Sequence, residues 1–444
     1  MAARSRTVRG ATAVPGSVRG RAVQRRNAVA PVDSFRRSAG AEMRAQSERV
    51  SLARVDGWLL ATIAALCAFG LVMVYSASEA LGYQAYGNPS YFFERQLVWL
   101  GLGIVLMIAA ARADYHRWRG WSGKLALGSL ALLLLVLIPH FGTQVLGARR
   151  WFTIGPLSLQ PSALATLMCI VAFSRWLVDR GPAVRSRRIV RDYGLLLFGL
   201  LMLVLLEKDL GSTIILAGIG VVLIALAGAR KRHLVLLVAL LVGLGYLAIN
   251  LEAYRATRIA SFRDPFADPL NTGYQMVHSL YALGSGGFTG VGLGNSVEKF
   301  QWLPEAHTDF IFAIIGEELG LVGTMSVVGG FVLLAWRGVR ASLRAPDSYG
   351  ALVAGGITAW ICVQAFLNVA AVTDVVPTTG VPLPFISYGG SSLAMTLLAV
   401  GILCNISAQG RRQGVTRRAH VDRWRGDGGS SDSRVGGRAG VAAR

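Results

Sequence analysis

The sequence predicts an all-α polytopic membrane protein with about ten transmembrane helices, both termini cytoplasmic and a large extracytoplasmic loop between helices seven and eight. Three observations carry this. Hydrophobic residues make up 53% of the 444, mean hydropathy is +0.49 and charged residues reach only 16%, against roughly 25% in soluble domains. Many apolar runs are about 20 residues long, enough to cross a bilayer core of roughly 30 Å as a helix. Lys and Arg gather in alternate connections, the charge asymmetry that sets membrane orientation.

The apolar runs place spans near 58–78, 95–112, 124–141, 160–178, 193–207, 210–229, 232–251, 309–336, 350–373 and 390–408. With the segment before span one inside, the next inside loop holds Arg112, Arg117, Arg119 and Lys124. The following ones hold the six arginines of 175–192, then Arg230, Lys231 and Arg232, then Arg337, Arg340 and Arg344. The opposite connections are poor in positive charge: 79–94 and 374–389 have none. Segment 252–308 is too long for a simple turn, which marks it as functional.

The net charge of +21 lies mostly in two Arg-rich tails, expected to be disordered: 1–57 with twelve Arg against four acids, and 409–444 with nine Arg against three. These tails are rich in Gly, Ala and Ser and almost free of aromatics. They read as solvated arms near anionic membrane lipid, and nucleic acid is not an expected partner. Cys67, Cys169, Cys362 and Cys404 fall within apolar spans without paired spacing, so they read as small core residues. No apolar segment precedes Trp58, and span one is expected to act as the targeting signal.

Unusual polar residues collect on the expected outer side. There, nucleotide-activated substrates are absent, and the chain has neither a P-loop nor a dinucleotide fingerprint. A substrate arriving already activated, on a lipid, fits this placement. Spans four, six, eight and ten start on that side, directing helix N-termini toward it, which favours anions such as a lipid-linked pyrophosphate. Arg149 and Arg150 beside Trp151 suit bidentate phosphate binding or a place among headgroups. Gln160-Pro161-Ser162 opens span four. Ser387-Tyr388-Gly389-Gly390-Ser391-Ser392 reads either as a phosphate-binding backbone nest or as close packing of a broken helix. Lys299, Glu305 and His307 belong to the same group, without zinc-ligand spacing. For Asp309 two readings stand: Thr308 or Asp309 caps span eight, or Asp309 is a general base at the membrane boundary. Glu317 and Glu318, within the span, read as structural ion pairs before catalytic groups.

Several motifs carry a family resemblance: Gly147-Ala148-Arg149-Arg150-Trp151, Leu159-Gln160-Pro161-Ser162, Asp209-Leu210-Gly211-Ser212, Gly284-Ser285-Gly286-Gly287, Gly292-Leu293-Gly294, Leu303-Pro304-Glu305-Ala306-His307-Thr308-Asp309-Phe310 and Leu383-Pro384-Phe385-Ile386-Ser387-Tyr388-Gly389-Gly390-Ser391. In this order they resemble the SEDS family, over about 55–408, and the 310–320 segment with the basic N-terminal arm is most similar to its cell-division branch. The resemblance implies a peptidoglycan glycosyltransferase that polymerises lipid II at the outer face of the bacterial cytoplasmic membrane, at the division septum. It implies Asp309 as catalytic base. Arg149, Arg150, Trp151, Gln160, Lys299, Glu305, His307, Ser387, Gly389, Gly390 and Ser391 are the expected substrate contacts. A Mg²⁺ or Mn²⁺ ion beside the pyrophosphate is left open. Expected partners are lipid II, a class B penicillin-binding protein and other division proteins.

The chain departs from the family pattern at Ala163 and Thr166, where a Glu and a Lys are usual, and at Lys208, where a Pro is usual. Removing both ends of an i,i+3 charge pair leaves no orphaned charge. Three other functions stay open: a lipid II flippase, a RodA-type elongation polymerase and a noncatalytic division scaffold. Concentration of the motifs on one side argues against a transporter, which needs polar groups at the midplane.

Overall fold

In this computed structural model the described residues are 55–138, 142–145, 148–154, 157–250, 258 and 261–427, with backbone alone for 144–145, 148–149, 154, 157, 247–250 and 412–427. Residues 1–54 and 428–444, most of the two expected tails, lie outside them.

All ten expected spans are helices. They are α1 (Gly57–Tyr86), α2 (Tyr91–Arg112), α3 (His116–Leu137), α4 (Pro161–Val178), α5 (Arg187–Leu206), α6 (Leu210–Leu226), α7 (Lys231–Asn250), α9 (Ile311–Leu343), α10 (Ser348–Val372) and α11 (Ser391–Asp427). A further helix, α8 (Tyr274–Gly286), lies in the long connection between α7 and α9. Eight of the ten are long and apolar enough by themselves to cross a membrane, and α6 is a shorter apolar helix. The last helix continues to Asp427, past the expected end at 408, although its apolar stretch stops at Arg411.

Capping fixes several starts. The Asp56 carboxylate accepts from the N–H groups of Trp58 (3.1 Å) and Leu59 (3.4 Å) at α1, and Asp347 accepts from Gly350 N at α10. Asp56 also binds Arg337 of α9 and Arg411 of α11, the latter at 2.9 Å, which ties three helices together at the arginine-rich end. Burial separates centre from rim. In α11, 83% of the most apolar stretch is buried, and in α4 and α10 67%, against 17% in α2. The weakly buried helices present Leu, Val and Trp side chains to their surroundings, as helix faces in lipid do.

The all-α expectation needs one correction. Between α3 and α4 stand three antiparallel strands: β1 (Thr143–Val145), β2 (Ala148–Ile154) and β3 (Leu157–Leu159), in the order β1-β2-β3. Thr143 faces Trp151 and Phe152 faces Leu159. Trp151-Phe152-Thr153-Ile154 is aromatic and β-branched, which suits a strand, and Pro156 forbids a helix through the segment.

The connection between α8 and α9 is not a loose loop. At Gly320 (φ 62°, ψ −157°) α9 is broken, and segment 287–292 is bonded into the gap. Val291 N donates to Glu317 O (2.9 Å) and Gly292 N to Glu318 O (3.0 Å), while Leu321 N donates to Gly287 O (3.0 Å). A Cβ on Gly290 would stand 2.1 Å from Glu318 O, and one on Gly320 2.5 Å from Gly290 N. Only glycine allows this insertion at both positions.

Candidate active site

Four helix starts meet at the end of the bundle opposite the arginine-rich one. At α4, Gln160 N donates to Ser391 Oγ of α11 (2.9 Å), and Gln160 Nε2 donates to the carboxylate of Asp209 (3.3 Å). Asp209 caps α6 by accepting from Ser212 N (3.0 Å) and takes further bonds from Ser212 Oγ (2.7 Å) and Ser162 Oγ (3.4 Å). The segment before α9 joins through Tyr388 N, which donates to His307 O (3.0 Å). The positive ends of the helix dipoles are thereby gathered in one place, a setting that stabilises anions.

Asp309 lies two residues before α9 begins and is half-buried. The capping reading fails: the N-cap position is Phe310, no side chain caps this helix, and the Thr308 hydroxyl is bonded to Glu305 (2.7 Å). A small cavity opens beside Asp309, walled by Asn368 and Val372 of α10 and by Thr378, Thr379, Gly380 and Val381. Gly380 (φ 67°) stands so close that a Cβ there would be 3.3 Å from Asp309 Oδ2. Asn368 Nδ2 donates to both Asp309 O and Val381 O, each at 2.7 Å, and so fixes the two walls relative to one another. Replacing this buried side chain, Asn368→Leu, is expected to cost about 1–3 kcal/mol for each carbonyl left unsatisfied, measured as lowered thermal stability of the purified protein.

Burial, and after it the neighbouring Glu305 carboxylate, push the Asp309 carboxyl up to about 7. Arg258 and Arg150 pull it down, and Asp209 adds a smaller upward push. Arg258 also donates to Thr378 O (2.9 Å). Arg150 grips the turn between α5 and α6, donating through Nε to Glu207 O (3.3 Å) and through Nη2 to Lys208 O. In that turn the Glu207 carboxylate is buried, without a hydrogen-bond partner among the described residues. Burial, then Asp209, push its carboxyl up against the pull of Arg150.

Several expected contacts take other roles. Lys299 is a buried strut: Nζ donates to Gly294 O (2.6 Å) and pairs with Glu318 Oε1 (3.4 Å), with 2% and 0% of the two side chains exposed. The contacts of this ammonium with Ser76, Gly294 and Glu318 all lie inside the protein. Glu318 accepts from Ser76 Oγ of α1 (2.7 Å), and Glu317 accepts from Ser296 Oγ and from Val297 N (2.8 Å), so both acids serve packing. Ser387 and Ser391 are buried, their hydroxyls accepting from Leu383 N (2.8 Å) and Gln160 N. A Cβ on Gly390 would stand 3.4 Å from Trp99 Nε1, and one on Gly389 2.8 Å from Ser392 Oγ. Close packing, rather than an open nest, describes this run. The His307 ring packs at a tilt against Phe92 (4.6 Å) and Tyr388 (5.7 Å), and burial holds its imidazole below the ordinary range. Trp151 is half-buried on β2, while the Arg149 side chain lies outside the described atoms. At the two departures, Ala163 is buried and Thr166 Oγ1 bonds back to Ser162 O (2.8 Å), so apolar packing and a helix-internal bond replace the charge pair.

Residues 57–412 match the sequence pattern of the cell cycle protein family of FtsW, RodA and SpoVE. The chain belongs to that family. Stage V sporulation protein E of Bacillus subtilis is 42% identical over 350 residues, covering 78% of this chain and 95% of that protein. "Probable peptidoglycan glycosyltransferase FtsW" of Geobacter metallireducens is 42% identical over 357 residues, 80% and 95% of the two chains. Among solved structures, the rod shape determining protein RodA of Thermus thermophilus superposes with a TM-score of 0.60 at 30% identity, covering 80% of this chain and 96% of RodA. A chain from a structure described as "Structural coordination of polymerization and crosslinking by a peptidoglycan synthase complex" gives 0.65 at 30% identity, covering 80% and 98%. The chain is thus a multi-pass membrane protein of the FtsW/RodA/SpoVE fold.

Arg258 and Asn368 were not singled out from the sequence. Asn368 carried a usable signal, a polar amide inside an apolar span. Arg258 gave none beyond being one of several charged residues in a long connection.

Proposed function

We propose that the chain is a peptidoglycan glycosyltransferase that polymerises lipid II at the outer face of the bacterial cytoplasmic membrane. One observation carries the assignment of roles: Asp309 is a half-buried carboxylate beside a cavity, excused from capping and poised near neutrality. In the reaction, the 4-hydroxyl of the acceptor GlcNAc attacks C1 of the donor MurNAc. The C–O bond to undecaprenyl pyrophosphate breaks, the hydroxyl proton passes to Asp309 and the anomeric centre inverts. General-base help of this kind contributes about 100- to 10,000-fold. Arg150 and Arg258 supply positive charge near Asp309, and the four converging helix starts add their dipoles toward the leaving pyrophosphate. The donor set fits a divalent cation only in part: among the described residues no three His, Cys, Asp or Glu side chains form a ligand group. Glu305, whose charge raises the cost of ionising Asp309, would be the carboxylate to hold a Mg²⁺ or Mn²⁺ ion bound chiefly by pyrophosphate and water.

The assignment to septal wall synthesis, with a class B penicillin-binding protein cross-linking the new strand alongside other division proteins, belongs to the same proposal. It is supported by the FtsW name of the Geobacter relative and by the coupling of polymerisation and crosslinking in the similar synthase complex. The arginine-rich connections support an orientation with that end, and both termini, on the cytoplasmic side.

The test is glycan-chain formation from lipid II by purified protein, with and without the class B partner. Chains longer than the starting disaccharide support the proposal, and lipid II crossing a liposome membrane without polymerisation would replace it with a flippase. The pH profile checks the role of Asp309. The base works as the carboxylate, so kcat/KM is expected to rise about tenfold per pH unit on the acid side and level off above about 7. Glu305→Gln removes an upward push and moves this limb to lower pH, whereas Arg258→Ala moves it to higher pH. A limb that ignores both substitutions would detach it from Asp309.

A further inference from the structure

We propose that Lys299 is a positioning residue that, through Glu318 and Ser76, holds the catalytic segment ending in Asp309 in working geometry, and is not itself a ligand of the pyrophosphate. This rests on the assignment of Asp309 above.

The argument begins from a closed circuit in the chain. Glu318 lies inside α9, and Asp309 lies just ahead of the same helix. Lys299 stands ten residues before Asp309 and returns to Glu318 across the broken helix. Residues 299–309 therefore form a loop fastened at both ends to the first turns of α9. At the far end Phe310 N donates to Glu305 O (3.2 Å), and at the near end Lys299 N donates to Ser296 Oγ (3.2 Å), whose hydroxyl is given to Glu317. Between them Leu303 N donates to Glu298 O (2.9 Å).

Three kinds of partner fill the ammonium's surroundings: the carboxylate of Glu318, the Ser76 hydroxyl of α1 (3.4 Å) and the Gly294 carbonyl. Ser76 also reaches both oxygens of Glu318, at 2.7 and 2.8 Å. The knot thus binds α1, α9 and the catalytic segment together. A buried pair of this kind is weak evidence for stability, because the cost of removing two charges from water largely cancels their attraction. Its better-attested use is to specify one arrangement over others. Here the arrangement specified is the approach of the chain to Glu305, His307 and Asp309. Displacing a reacting group by about 1 Å can cost on the order of 100-fold in rate, so a strut at this position acts on kcat.

The test uses the full-length protein in lipid II polymerisation, with wild type and Asp309→Ala run beside Lys299→Met, Glu318→Gln and the double variant. Turnover by wild type and its loss in Asp309→Ala establish the site independently, leaving only the strut in question. Expected are a fall in kcat of about 10- to 100-fold in both single variants, KM for lipid II within twofold, and a displaced acid limb of the pH profile. The double variant should be no worse than the worse single variant, because both charges leave together. If a single variant does not fold, the folded double variant decides: lowered kcat supports the strut, and wild-type kcat overturns it. A raised KM in Lys299→Met with unchanged kinetics in Glu318→Gln overturns the proposal and returns Lys299 to the substrate. Wild-type kinetics in all folded variants overturn it as well.

Discussion

Asp309→Ala is expected to lower lipid II polymerisation by about 100- to 10,000-fold, which is the contribution of a positioned general base. Asp309→Asn keeps the shape and should lose nearly as much, since an amide cannot take up the proton. Neither change should greatly alter folding, because the Asp309 carboxylate does not cap α9 and the backbone contact from Asn368 goes to its carbonyl. Unchanged thermal unfolding with lost polymerisation is the result that separates chemistry from architecture. Polymerisation by Asp309→Ala at the wild-type rate would remove the residue from the mechanism and make its cavity a structural seam.

The second large effect concerns the inserted segment. Gly290→Val adds a β-branched side chain at φ 83°, where a Cβ would stand 2.1 Å from Glu318 O. The left-handed conformation costs about 1–2 kcal/mol, and overpacking adds about 1–3 kcal/mol. Together they remove a large part of a stability of about 5–15 kcal/mol. The expected outcome is a sharply lowered unfolding temperature or loss of purified protein. Gly284→Ala is the control: Gly284 lies in α8, where an added Cβ meets nothing within 4 Å, and its effect should stay within about 0.5 kcal/mol. Equal stability of the two variants would mean that segment 287–292 does not sit in the break of α9.

Much of this architecture was legible in the residues. An apolar run long enough to cross a membrane has few alternatives, so all ten helices appear where the runs lie. The glycine-rich stretch from Gly286 to Gly294 does not reveal its insertion into α9, because glycine signals permission for unusual backbone without saying what approaches it. Strands β1 to β3 are short and follow a long helical run, and their pairing depends on partners that periodicity does not reveal. At the site, Asp309 was visible because a carboxylate at a membrane boundary is costly. Lys299 is harder to read, since a lysine in a connection looks the same whether its ammonium meets a phosphate or the buried Glu318. Ser387 and Ser391 are hard to read for a similar reason: hydroxyls suited to an anion are equally suited to the backbone N–H groups they accept from.

The clamp at Asp56 has a consequence for the order in which the bundle closes. Arg337 of α9 and Arg411 of α11 both reach the carboxylate just ahead of α1. Because the chain is made from α1 toward α11, Asp56 waits for its partners until the last helix is in place, and the clamp closes only on a complete bundle.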